Sequence, residues 1–168
     1  MNITGSTVNI GEIDVFGTGG GCEFNLTGSH LTTGYIFVDG SQFENNPIGG
    51  IPGTPPHPVM TIDGGTVNAS ATILAQSSTL NISSATVTCD TLAAGIQGQI
   101  NISSGTITAT DAIDSVNPFG SSTINVTGGV LNAQQLGITG LYDDVIGPTT
   151  SMNISGGQVN VRGAVDER

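Results

Sequence analysis

A short pattern of alternating apolar and polar residues, broken by a bend of small residues, returns seven times along the chain. The segments are MNITGSTVNI, FNLTGSHLTT, MTIDGGTVNA, LNISSATVTC, INISSGTITA, INVTGGVLNA and MNISGGQVNV. They start at Met1, Phe24, Met60, Leu80, Ile100, Ile124 and Met152, so successive starts lie 23, 36, 20, 20, 24 and 28 residues apart. The minimal unit is therefore near 20 residues, and longer units carry insertions. Self-similarity at this period marks stacked units that share one continuous core.

Within each unit, alternation assigns the faces, because successive strand side chains point to opposite sides. Met1, Phe24, Met60, Leu80, Ile100, Ile124 and Met152 form a first inward column, and Ile3, Leu26, Ile62, Ile82, Ile102, Val126 and Ile154 a second. After the bend, Val8, Leu31, Val67, Val87, Ile107, Leu131 and Val159 form a third. Ile10, Thr33, Ala69, Cys89, Ala109, Ala133 and Val161 form a smaller fourth, in which Cys89 fills space. A weaker strand follows most units, marked by Ile13, Ile36, Ile73, Leu92, Ile113 and Leu136. Glycine or another small residue at each bend relieves the cost of a sharp corner. β-Branched residues, Ser, Asn and Gly are poor helix formers, which disfavours a helical repeat. A β-sandwich would also show short alternating strands, but it gives no reason for the same residue type to recur at every repeat.

These features predict an all-β fold, a right-handed parallel β-helix (β-solenoid) of about seven coils. One domain over residues 1–168 is expected, with a long loop insertion at about 39–58 and a smaller one at about 137–151. In the long loop, Phe43, Ile48 and Ile51 are candidate partner anchors. Neither end carries a capping helix, and unpaired terminal coils are edges that invite pairing. Self-association through those coils, into a head-to-tail filament or as part of a longer fibre, is the expectation.

The outward face of the first strand reads Asn2, Asn25, Thr61, Asn81, Asn101, Asn125 and Asn153. Six of these asparagines begin Asn-x-Ser/Thr sequons, and Asn68 begins a seventh, so Asn2, Asn25, Asn68, Asn81, Asn101, Asn125 and Asn153 are the glycosylation candidates. Asparagines on adjacent rungs would lie about 4.8 Å apart, too close for a sugar on each, and a ladder of stacked amides accounts for the column. The Thr86/Thr88 and Thr106/Thr108 pairs resemble an ice-binding face, but Val130 and Gln158 interrupt the file.

Thirteen Asp and Glu face two Arg and no Lys, a net charge of −11. That balance argues against binding nucleic acid or anionic lipid. No apolar run approaches the length of a membrane span, so membrane insertion is not expected. A lyase acting on acidic sugars would need cations beyond Arg162 and Arg168. A hydrolase would need paired carboxylates, for which Asp111 with Asp114 and Asp143 with Asp144 are the available residues. These four aspartates are also the weak calcium candidates, and no other cofactor is expected. His30, His57 and the Gly17–Gly21 run support neither a nucleophilic triad nor a phosphate loop. No catalytic residue is assigned.

The repeated N-(I/V)-(S/T)-G-G-x-(V/L)-(N/T) segments resemble the coils of secreted bacterial β-helix proteins, such as autotransporter passengers and adhesins. The resemblance implies a right-handed parallel β-helix in an extracellular or cell-surface setting, and it transfers no catalytic residue. An extracellular structural or adhesive role is the leading expectation. A carbohydrate-binding or carbohydrate-degrading module is the alternative, and ice binding a more distant one.

Overall fold

The computed structural model describes residues 1–17, 22–40, 57–117, 121–140, 150–163 and 165–167. Among these residues the regular elements are all β-strands, and every strand pairing is parallel. The strands fall into three files, and each file joins equivalent residues of successive repeats. In the first, Asn2 pairs with Asn25, then Thr61, Asn81, Asn101, Asn125 and Asn153 follow in register. In the second, Val8, Leu31, Val67, Val87, Ile107, Leu131 and Val159 are successive partners. In the third, the same holds for Ile13, Ile36, Ile73, Leu92, Ile113, Leu136 and Val165.

The bend is tighter than the pattern implies. Strands Glu23–Thr33 and Val59–Ala69 run through it without interruption. At Gly65 the backbone has φ +76°, and a Cβ there would sit 2.1 Å from the Ser29 carbonyl oxygen of the preceding repeat. Only glycine fits against a neighbouring backbone that close. The corner between the second and third files is also continuous in Ala85–Ala94, Gly105–Asn117 and Val130–Gly140. The middle one of these carries a register shift between Ala109 and Ala112 against both neighbours, so Thr110 and Asp111 form a bulge opposite one residue on each side. A bulge accommodates the extra residue without moving any column from one face to the other.

The inward columns are buried in the middle repeats: Met60, Ile62, Val67, Ile73, Leu80, Ile100, Ile107, Ile113 and Ile124 have no exposed surface. The end repeats differ from the sequence expectation. Met1, Ile10 and Ile154, all expected to point inward, are 75%, 49% and 49% exposed. Their columns continue on one side only, so half of the covering that buries Met60 or Ile62 is missing. Ile3, Val8, Met152, Val159 and Val161 are partly buried and pack on the core.

The second insertion is narrower than expected from sequence, whereas strand ends at Asp39 and resumes at Val59 around the first. Strand runs to Asp39 before the first insertion, and residues 137–140 and 150–151 on either side of the second are strand. Phe43, Ile48 and Ile51 lie outside the described residues.

Ile107 has partners in register on both sides and no exposed surface. Ile107→Ala is expected to cost about 2–5 kcal/mol, and Ile107→Asp to abolish cooperative unfolding by burying an unpaired charge. Urea denaturation followed by circular dichroism measures both.

Candidate functional site

The most regular chemical feature is the outward asparagine column. Asn101 donates from Nδ2 to Oδ1 of Asn81 at 2.9 Å, Asn125 to Asn101 at 2.9 Å and Asn153 to Asn125 at 2.9 Å. At the other end Asn25 donates to Asn2 at 2.9 Å. Every bond runs the same way, from the later repeat to the earlier. Thr61 stands between the two runs in register. A parallel ladder forms on the second file, where Asn160 donates to Asn132 at 2.9 Å and Asn132 to Thr108 at 3.4 Å. In-register pairing places identical amides one rung apart, so each donor meets its neighbour's acceptor. Four glycosylation candidates, Asn25, Asn101, Asn125 and Asn153, thus have their Nδ2 engaged, whereas Asn2 and Asn81 accept at the start of a run and Asn68 is exposed on the second file.

The carboxylates are dispersed. Asp63 accepts from Ser83 at 2.7 Å, and Asp90 accepts from Thr110 at 3.0 Å, each across one rung. Asp111 is exposed at the bulge and Asp114 is half-buried on the same strand, while Asp143 and Asp144 lie outside the described residues. Burial, and after it the nearby Asp111 charge, raises the Asp114 carboxyl above its usual value. Among the described residues, no group of three or more His, Cys, Asp or Glu side chains could hold a metal ion. Of the calcium and hydrolase candidates, Asp111 and Asp114 are the pair that falls within the described residues.

Both histidines are tied to structure. His30 Nδ1 lies 2.6 Å from Thr66 Oγ1 on the next rung, and the exposed His57 donates from Nδ1 to the Ser77 carbonyl at 2.8 Å. Cys89 is buried, and that burial, with Asp90 adding to it, pushes its thiol up to about 12. A thiol held in that state is a space-filler and not a nucleophile.

Two features escape the sequence reading. Tyr35 and Phe37, outward neighbours on strand Tyr35–Asp39, stack with ring centroids 5.7 Å apart. Their i, i+2 spacing is the available signal. Two shallow depressions also lie near the corner after the second file. One, about 670 Å³, has Asn9, Thr32, Asn68 and Thr88 in its lining, and the other, about 380 Å³, has Thr108, Asn132, Gln134 and Arg162. Neither lining includes a histidine, cysteine or carboxylate. Among the described residues, no helix is long and apolar enough to cross a membrane. No family model matches the chain, and no curated protein or solved structure matches it.

The raised pKa of Asp114 has a definite sign. The folded state favours the protonated carboxyl, so the penalty of ionising it is absent below the unfolded value and grows as pH rises through the folded one. Asp114→Asn should therefore stabilise the protein at pH 7 and lose that advantage near pH 3. Urea midpoints at the two pH values check it.

Proposed function

We propose that the chain is a right-handed parallel β-solenoid of about seven coils that acts as a non-enzymatic structural or adhesive element of the cell exterior. The observation that carries this reading is the unbroken pairing of equivalent residues through all seven repeats in three files. Such an arrangement converts sequence length into rigid length at about 4.8 Å per coil. Outward side chains bond along the stacking direction in the Asn81–Asn153 ladder, and among the described residues Asp63, Asp90 and Asp114 stand on separate rungs. That distribution suits a scaffold better than a site of proton or group transfer, which needs several groups converging on one position.

The exterior setting is supported by the outer faces of Asn, Thr and Ser with no lysine, by the net charge of −11, and by the resemblance of the repeats to secreted β-helix coils. An acidic, hydrogen-bonded surface remains soluble at high local density. No cofactor is required, and the partners fitting such a rod are other rods or surface polysaccharide and protein.

An antibody raised against the folded chain should label intact, unpermeabilised cells of the source organism. Labelling that appears only after permeabilisation would contradict the exterior assignment.

A further inference from the structure

The Asn-x-Ser/Thr sequons share a composition but differ in what holds their side chains. In the first file, Asn101 and Asn125 each donate to one neighbouring asparagine and accept from another. Asn81 accepts from Asn101, and the hydroxyl of its sequon, on Ser83, donates to Asp63 at 2.7 Å. Ser103 and Thr127, the hydroxyl residues of the next two sequons, donate to the carbonyls of Ile82 and Ile102 at 3.5 and 3.4 Å. In the interior of the ladder, amide and hydroxyl are both held by the neighbouring rungs.

Asn68 is placed differently. It lies in the second file near the end of strand Val59–Ala69, and its rung neighbours are Thr32 and Thr88 in place of asparagines. Thr32 and Thr88 are themselves paired on their far sides, to Asn9 and Thr108, so interior rungs set the surroundings of Asn68. Asn68 and Ser70 are both exposed, and neither side chain forms a hydrogen bond among the described residues. The chain leaves the sheet at Ser70, whose N–H donates to the Thr33 carbonyl at 2.9 Å, so its hydroxyl is not held in a file.

Asn68 also has room beside it. The depression of about 670 Å³ has both Asn68 and Ser70 in its lining. Gly34, on the same lining, donates from N–H to the Gly11 carbonyl at 2.8 Å, and a Cβ there would lie 2.6 Å from that oxygen. Only glycine fits so close a backbone approach, so no side chain fills this corner. A pyranose on Asn68 Nδ2 has this space to occupy. On Asn101 it would stand between Asn81 and Asn125, each about 4.8 Å away.

We propose that Asn68 is the glycan-bearing residue of the folded chain, its Nδ2 accepting a sugar carried on a diphosphate. Nδ2 bonds to the anomeric carbon as the bond from that carbon to the diphosphate oxygen breaks. The diphosphate leaves with the electron pair, and one Nδ2 proton passes to a base of the transferase. The free Ser70 hydroxyl is the second group that a sequon-reading transferase requires. Asn101 and Asn125 are poor acceptors, because transfer would break their hydrogen bonds along the stack. Acceptor competence is set by local geometry, so its failure leaves the structural role proposed above untouched.

Glycopeptide mapping by mass spectrometry of the protein isolated from its source organism should find a glycan on Asn68 and bare Asn81, Asn101 and Asn125. An unmodified Asn68, or glycans on those ladder residues, would overturn the assignment. The added mass separates a single sugar from a nucleotide donor from an oligosaccharide from a lipid-linked one. The geometric cause is read in vitro, with UDP-glucose and a soluble transferase that recognises Asn-x-Ser/Thr. In folded Asn2→Gln protein, which lacks the sequon of the first rung, Asn68 should be modified at least about tenfold more than Asn81, Asn101 or Asn125. Ser70→Ala should abolish transfer to Asn68 without altering the thermal melt. In Ile107→Asp, which keeps every sequon and should be unfolded by circular dichroism, the preference should disappear. Comparable transfer to the ladder residues, or none to Asn68 in the folded chain, would contradict the acceptor assignment, and a preference that survives unfolding would contradict its geometric cause.

Discussion

Parallel pairing of equivalent residues is the constraint from which the remaining features follow. A strand's amide groups must find partners, and here each repeat finds them in the next one. Once Asn81, Asn101 and Asn125 are locked in one register, so are all the other columns. A slip of one residue would send Ile82, Ile102 and Val126 outward and bring the asparagines into the core. The apolar columns and the in-register backbone therefore enforce each other. Ladders of identical side chains on the outer faces are a consequence of that register, and so are the glycine corners, where one repeat's backbone lies against the next.

Much of this arrangement was legible in the residues. The seven-fold recurrence assigned the inward columns and placed the asparagine ladder because identical residues at equivalent positions have one simple structural cause. Four details were hidden. Ser29, Ser78, Ser115 and Ser122 are buried, although serines at bends and loop margins read as solvent-facing. They are satisfied locally: Ser78 donates to the Val38 carbonyl at 2.6 Å, and Ser115 and Ser122 bond each other at 2.8 Å. A serine's small hydroxyl hides its burial from any hydropathy pattern when a carbonyl is within reach. The Thr110–Asp111 bulge was invisible because an inserted residue looks the same whether it lengthens a loop or bulges a strand. The exposure of Met1, Ile10 and Ile154 depends on what covers the end repeats, which no local pattern reports. The Tyr35–Phe37 stack was hidden because two aromatics at i and i+2 share a face of a strand whether or not their rings meet.

The candidate site was less legible than the fold, for a physical reason. Catalytic and metal sites are recognised by unlike groups brought together from distant positions. A repeat instead brings like groups together, and it spreads its carboxylates along the stack, as at Asp63, Asp90 and Asp114. Asparagine and threonine side chains that serve as ligand contacts in other folds bond here to their own copies on adjacent rungs.

Distances between spin labels along one outward column test the stacking directly. With Cys22 and Cys89 replaced, labels at Thr7 paired in turn with Thr106, Val130 and Gln158 span four, five and six rungs of the second file. The stacked arrangement predicts that the mean distance rises by about 4.8 Å with each added rung, reaching about 29 Å for Thr7 with Gln158. Distances that do not increase with the number of intervening repeats would contradict it.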